Sequence, residues 1–177
     1  MNYQMTILEK TVESIYKKIG VDKPGECIEV IADKLGVDLI YGRFSFFAEG
    51  VICIDLNLSK EKAREVFAHE LCHCLFHDGN QLEMYELYRE YQEFKAENFA
   101  MHFCIPTFML LNMELPQYIS EAVEFVADEF GVTNELALKR LEHYANQKFG
   151  QLWHEKMYSI NAQAKSYNHR NLACLYR

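Results

Sequence analysis

The residues with the clearest chemical potential lie between Ala68 and His77, where the chain reads AHELCHCLFH. In an α-helix, residues four positions apart lie on one face, so His69 and His73 can direct two imidazoles at one metal ion. Glu70 lies about 100° around the helix from His69, which keeps its carboxylate off the ion but near a water bound there. This HExxH spacing is typical of zinc sites in which the glutamate is the general base of amide hydrolysis.

A third histidine, His77, continues the same spacing but cannot bind the same ion on an unbroken helix. At a rise of about 1.5 Å per residue it lies about 12 Å along the axis from His69, whereas Zn–N bonds are only about 2 Å long. We therefore interpret His77 as a helix C-terminal cap or a residue at the rim of the site.

The alternative to an HExxH zinc site is a pair of surface histidines without a metal. The motif lies on an amphipathic helix directly after a strand, and this position argues against that alternative.

A catalytic zinc site needs a third protein ligand and an open position for water. The next helical segment carries two glutamates and two alanines on one stripe, and the small alanines would let two helices approach closely. These residues are Glu93, Ala96, Glu97 and Ala100. The spacing alone leaves both glutamates as candidate ligands. It also leaves the oxyanion-stabilising side chain unidentified.

The elements that must position these residues follow from the apolar pattern. In chain order the pattern predicts a helix over 7–19 ended by Gly20, a helix over 24–35 ended by Gly36, strands at 37–41 and 51–55, a helix capped by Ser59 that fades at 77–80, a helix at 84–104 stopped by Pro106, and helices at 119–130 and 134–147. The order predicts an α+β fold, with a core at 1–115 and a helical C-terminal region at 116–177.

Composition and charge narrow the classes of partner. The chain has 177 residues, of which 50% are hydrophobic and 25% charged, as expected for a globular protein. It shows no signal-peptide pattern and no apolar run long enough to span a bilayer, and its six cysteines form no CxxC pair. These features predict a cytoplasmic protein that makes no membrane contact. A net charge of −8 makes nucleic acid an unfavourable partner, although basic residues predominate after Leu138.

Two segments together resemble the ImmA/IrrE family of zinc metallopeptidases, namely AHELCHCLFH and EFKAENFAMHFCIP. The family pattern is HExxH followed by a helix that reads E-x-x-A-x-x-F-A and ends near a proline. That pattern fits Glu93, Ala96, Phe99 and Ala100, so the resemblance selects Glu93 over Glu97 as the third ligand. The likeness covers most of residues 24–142.

The chain departs from the family pattern at two positions. Cys72 stands where the HExGH version of the motif has glycine, and Lys95 stands where an acidic or polar residue is frequent. Neither is a ligand position, so the assignment is kept.

The resemblance implies a zincin-like, mostly helical core with a small antiparallel sheet, followed by C-terminal helices. It implies that Zn²⁺ is held by His69, His73 and Glu93, with Glu70 as the catalytic base of an endopeptidase. It also implies a substrate class, because members of the family commonly act on helix-turn-helix repressors of mobile elements or stress regulons. The strand at 51–55, just ahead of the motif helix, is expected to pair with an extended substrate.

Two other functions are alternatives at this stage. A non-catalytic regulator could keep the fold and metal but act by binding a repressor. A DNA-binding protein could use residues 127–141, which have a helix-turn-helix pattern with Gly131-Val132-Thr133 as the turn. The helix before that turn is acidic and would face phosphate unfavourably, so packing or docking of a protein substrate is the preferred interpretation.

Overall fold

The structure is a computed structural model that describes residues 3–76 and 85–174, with side-chain surroundings described as far as Met157. His77 and the predicted helix start at Met84 lie outside the described residues. The chain divides into two compact units, one formed by residues 5–140 and the other by residues 1–4 with 141–177. The predicted division after residue 115 stays a prediction. Within the described ranges, no helix combines the length and apolar character that crossing a membrane requires.

Helices dominate the fold, and three short strands form one sheet, which confirms the predicted α+β class. The helices are α1 (Ile7–Ile19), α2 (Ile28–Leu35), α3 (Lys60–Phe76), α4 (Glu86–Cys104), α5 (Thr107–Leu110), α6 (Ile119–Phe130) and α7 (Asn134–Cys174). The strands are β1 (Asp38–Gly42), β2 (Phe46–Ala48) and β3 (Val51–Asp55).

The sheet is mixed rather than purely antiparallel. β3 lies in the centre, pairs in parallel with β1 and pairs antiparallel with β2. A two-residue turn joins β2 to β3, and both turn residues have positive φ, 50° at Glu49 and 84° at Gly50. Positive φ at both positions is the backbone of the tight turn that favours a hairpin. The expectation of a wholly antiparallel sheet is therefore corrected by the parallel β1–β3 pair.

Local capping chemistry explains where the helices begin and end. Thr6 and Glu9 form a reciprocal capping box at the start of α1. Gly20 and Gly36 adopt the left-handed conformation after α1 and α2, so both predicted helix ends are confirmed. The Ser59 hydroxyl accepts a hydrogen bond from the Lys62 amide at 3.2 Å, as expected of the N-cap of α3.

Two predicted helix boundaries differ from the structure, and one helix was not predicted. α2 begins at Ile28 rather than at Pro24, because Gly25 has a positive φ of 76° and Cys27 is extended. The short α5 follows Pro106 and was not predicted. α7 continues to Cys174, far beyond the predicted end at residue 147.

The core that carries the motif lies between α3 and α4, which pack extensively against each other. Ala68 and Leu71 of α3 and Ala96 of α4 are fully buried, with 0% relative exposure. The Phe76 and Phe99 rings meet edge to face, with centroids 5.4 Å apart. Small residues on both helices thus allow the close approach that a metal shared between them requires.

Two buried polar clusters tie the segment around α6 and α7 to the rest of residues 5–140. In the first, the Glu65 carboxylate on α3 accepts hydrogen bonds from the backbone amide of Thr133 at 2.9 Å and from its hydroxyl at 2.6 Å. In the second, the fully buried Arg140 donates to the Ile105 carbonyl at 3.1 Å and to the Thr107 hydroxyl at 2.6 Å. The start of α7 is therefore fixed against the helix that bears HExxH.

Candidate metal centre

Three of the predicted site residues converge at the α3–α4 interface. The Nε2 atoms of His69 and His73 lie 3.1 Å apart, and the Glu93 Oε2 lies 3.1 Å from the Nε2 of His69. The Oε1 of Glu93 lies 3.5 Å from the Nε2 of His73. The ligand atoms of all three residues lie within 4.8 Å of one another. α3 supplies the two imidazoles one turn apart, and α4 brings the carboxylate from across the interface.

These separations fit a tetrahedral zinc. Four tetrahedral ligands at about 2.0–2.2 Å from one ion lie about 3.3–3.6 Å from each other. The observed separations of 3.1, 3.1 and 3.5 Å are close to that range. Two imidazoles and one carboxylate are also a donor set that zinc prefers when one position is left for water. His73 is deeply buried, with 7% side-chain exposure, whereas His69 and Glu93 are 25% and 42% exposed, so the cluster opens to solvent on one side.

Glu70 lies beside this cluster, and burial is the main influence on the pKa of its carboxyl. Burial raises the pKa of its carboxyl above the usual value, and the negative charge of Glu93 acts in the same direction. The His69 ring and a hydrogen bond from the Phe47 backbone amide lower the pKa in opposition. Glu70 and His69 line one cavity, so the carboxyl is placed to accept a proton from a water held there.

The remaining predicted positions lie around the centre rather than in it. Glu97 is exposed one turn beyond Glu93 on α4 and is not part of the ligand cluster. Cys72, the residue in place of the family glycine, is buried, and that burial raises the pKa of its thiol to about 12. Cys72 is not among the residues whose ligand atoms converge, so its buried side chain fills core volume.

The expectation that strand 51–55 pairs with an extended substrate is wrong. β3 is the central strand, and β1 and β2 already occupy its two edges. The free edge nearest Glu70 belongs to β2, whose Phe47 amide contacts that carboxylate. Sequence reasoning missed β2 because three residues between two turns are too few for an alternating pattern to stand out.

A cavity next to the centre was also missed. It has a volume of about 240 Å³, and its walls include His69 and Glu70 together with Leu136 and Lys139 of α7. The only sequence signal for it was the helix-turn-helix pattern, which placed a helix start at residue 134 but did not place that helix beside α3.

Comparisons with known proteins show the family to which this chain is related. Residues 27–142 match the family Peptidase_M78, described as IrrE N-terminal-like domain. The phage-like element PBSX protein XkdA of Bacillus subtilis (strain 168) is 42% identical over 159 residues, which cover 85% of this chain and 79% of that protein. The uncharacterized protein YqaB of the same organism is 37% identical over 150 residues, which cover 81% and 87% respectively.

A solved structure shares the fold. A Mycobacterium tuberculosis transcriptional regulator superposes on 75% of this chain with a TM-score of 0.53 and 15% sequence identity. This chain spans only 46% of the length of that structure, so the likeness concerns the architecture alone.

Proposed function

This chain belongs to the IrrE N-terminal-like family of M78 peptidases, and from that premise we propose that it is a zinc-dependent endopeptidase acting on an intracellular protein. The observation that carries the proposal is the convergence of His69, His73 and Glu93 within 4.8 Å, with Glu70 beside them. Two helices with closely packed alanines hold this arrangement, so the side chains are positioned by the fold rather than by a loop.

Each residue has one role in the proposed reaction. His69, His73 and Glu93 hold the ion, and the open side of the cluster admits water and substrate. Zinc, when bound, supplies Lewis acidity to a water and to the scissile carbonyl. Glu70 accepts the proton of the attacking water and returns it to the leaving amine. The hydrogen bond from the Phe47 amide restrains the Glu70 carboxylate.

The proposed substrate is a helix-turn-helix repressor of a mobile element. The support is the family and the name of one relative, a phage-like element protein. The geometry does not favour the DNA-binding alternative. In that alternative the start of α7 would have to contact bases, but it is held against α3 by the hydrogen bonds between Thr133 and Glu65.

The proposal is tested by incubating the zinc-loaded chain with the helix-turn-helix repressor encoded beside it. We expect discrete cleavage that stops with chelator and in Glu70→Gln, which should keep the fold and the zinc. Glu61→Gln, an exposed glutamate on the first turn of the same helix, is the matched control and should cleave normally.

The outcomes separate the three functions. Cleavage by Glu70→Gln at a near-normal rate would contradict the mechanism. Repressor binding without cleavage in the wild-type chain would support the non-catalytic regulator. A salt-dependent shift of DNA by the chain alone would support the DNA-binding alternative.

A further inference from the structure

The cavity next to the metal centre has the size and position of a substrate subsite. Its volume of about 240 Å³ is smaller than the roughly 300–1,000 Å³ of pockets that hold drug-sized ligands, so it suits a single side chain. Because His69 and Glu70 form part of its wall, it adjoins one of the proposed ligands and the proposed base.

Residues of α3 and α4 form two walls of the cavity and extend away from the metal centre. On α3 its wall runs from Glu70 back to Lys62, about two helical turns or 12 Å along the axis. On α4 its wall begins at Glu97 and continues to Ala100, in the opposite chain direction. Ala100 is 7% exposed, and its small side chain leaves the floor of the cavity open.

The first two turns of α7 line one side of the cavity. Leu136 and Lys139, three residues apart and hence on one face of the helix, both line the cavity. The Thr133 hydroxyl caps this turn by accepting from the Leu136 amide at 3.2 Å, and Thr133 itself is held by Glu65. Leu136 is therefore fixed in place by the same contacts that hold α7 against α3.

The polarity of the cavity favours an apolar occupant. The Glu65 carboxylate in its wall already accepts from Thr133 and forms an ion pair with Lys62 at 2.9 Å. Lys62 also lines the cavity, and the other charged groups away from the centre are Glu97 and Lys139, so the two lysines of the wall are matched by two glutamates. The remaining side chains, Val66, Ala100 and Leu136, present apolar surface.

We propose that this cavity receives the substrate side chain next to the scissile bond and selects an apolar one, with Ala100 and Leu136 as specificity-determining residues. The inference rests on the proposed function, because it takes the metal centre as the place where the peptide bond is held. It gives the helix-turn-helix segment a role in choosing the cleavage site.

The test uses small hydroxamates as probes, since they bind zinc without being cleaved. The affinities of acetohydroxamate, 4-methylpentanohydroxamate and a succinic monohydroxamate are measured by calorimetry on the full-length zinc-loaded chain. Acetohydroxamate places no group in the cavity, 4-methylpentanohydroxamate places an isobutyl group there, and the succinic monohydroxamate places a carboxylate there. We expect the isobutyl probe to bind at least about tenfold more tightly than acetohydroxamate, and the carboxylate probe to gain nothing.

Two variants and one control assign the effect to the cavity. Ala100→Leu fills the floor and should abolish the isobutyl gain, whereas Leu136→Ala removes one wall and should reduce it several-fold. Both should bind acetohydroxamate within about twofold of wild type. Leu138→Ala, an exposed leucine of the same turn that does not line the cavity, should behave as wild type. If Ala100→Leu does not fold, the affinity of Leu136→Ala for the isobutyl probe alone tests the cavity assignment.

The failures are distinguishable. Acetohydroxamate binding without an isobutyl gain, or an isobutyl gain retained in a folded, zinc-loaded Leu136→Ala, would overturn the cavity assignment and leave the proposed function intact. Absence of any hydroxamate binding to the zinc-loaded chain, together with absence of cleavage, would overturn both.

Discussion

Two imidazole nitrogens only 3.1 Å apart define the chemistry at the scale of single residues. If both histidines hold one ion, removing either should release it, because a two-ligand site retains zinc poorly. We expect His69→Ala and His73→Ala to purify with less than about one tenth of the zinc of wild type by elemental analysis. His154→Ala, at an exposed histidine of α7, is the control and should keep full zinc. Stoichiometric zinc in either ligand variant would exclude the site.

The choice between the two glutamates of α4 is a second test at this scale. Glu93 reaches both histidines, whereas Glu97 lies one turn away in the wall of the cavity. Because loss of a residue that only supports a ligand already costs about 10–100-fold in metal affinity, Glu93→Gln should cost at least about 100-fold. Glu97→Gln should change zinc affinity by less than about threefold. A competition titration with a chelator measures both, and the reverse order would move the ligand along the helix.

The sequence predicted the convergence of the candidate ligands only for the two that lie on one helix. The distance between His69 and His73 follows from helix geometry alone, so HExxH could be interpreted without a structure. Glu93 comes from a second helix, whose rotation against α3 depends on the buried contacts of Ala96 and Phe99. Spacing therefore left Glu97 as an equal candidate, and the family resemblance made the choice. Leu136 was not predicted at all, since its place beside α3 is a tertiary contact about seventy residues from His69.

At the scale of elements, a buried charge cluster holds the C-terminal part of the 5–140 unit in place. The Arg140 side chain is fully buried, with its Nη2 3.5 Å from the Oε1 of Glu9, which is also fully buried. The Thr107 hydroxyl donates to that same carboxylate oxygen at 2.6 Å. α7 is thereby connected to α1 and to the start of α5, and the connection relies on one guanidinium.

Removing that guanidinium should destabilise the fold strongly. Arg140→Ala leaves the buried Glu9 carboxylate without its cation, which should lower the free energy of unfolding by about 3 kcal/mol or more. Lys139→Ala, the exposed neighbour, should change it by less than about 0.5 kcal/mol. Urea unfolding measures both. A loss below about 1 kcal/mol in Arg140→Ala would mean that the cluster does not hold α7.

Helix ends that depend on local residues could be predicted from the sequence. The pairing of strands could not. Gly20 and Gly36 ended their helices as expected, because a left-handed residue after a helix is a local requirement that glycine meets. The parallel β1–β3 pair was not expected, because neighbouring strands in sequence usually form hairpins, and here β2 lies between them in the chain but at the sheet edge. The length of α7 was missed because residues 148–174 lack a clear apolar stripe.

At the scale of the whole molecule, charge is distributed unevenly along the chain. The net charge is −8, yet the segment from Leu138 onward contains seven lysines and arginines against two glutamates. Exposed apolar side chains accompany these charges, among them Phe149 at 67% and Trp153 at 54% exposure. A free peptidase needs to be restricted to its target, and a basic, partly apolar helix is a surface that an acidic face of a protein partner could bind.

Charge reversal on that helix tests whether it docks the substrate. In Lys148→Glu/Lys156→Glu we expect cleavage of the neighbouring repressor to fall about tenfold at low salt and the difference to shrink as salt screens the charges. The zinc content and the acetohydroxamate affinity should stay unchanged, because the metal ligands and the cavity lie within residues 5–140. Lys10→Glu/Lys18→Glu, which changes the net charge equally through exposed positions of α1, is the matched control and should cleave like wild type. Cleavage by Lys148→Glu/Lys156→Glu at the wild-type rate would show that the C-terminal charges do not select the partner. Equal losses in both double variants would show that net charge alone causes the effect.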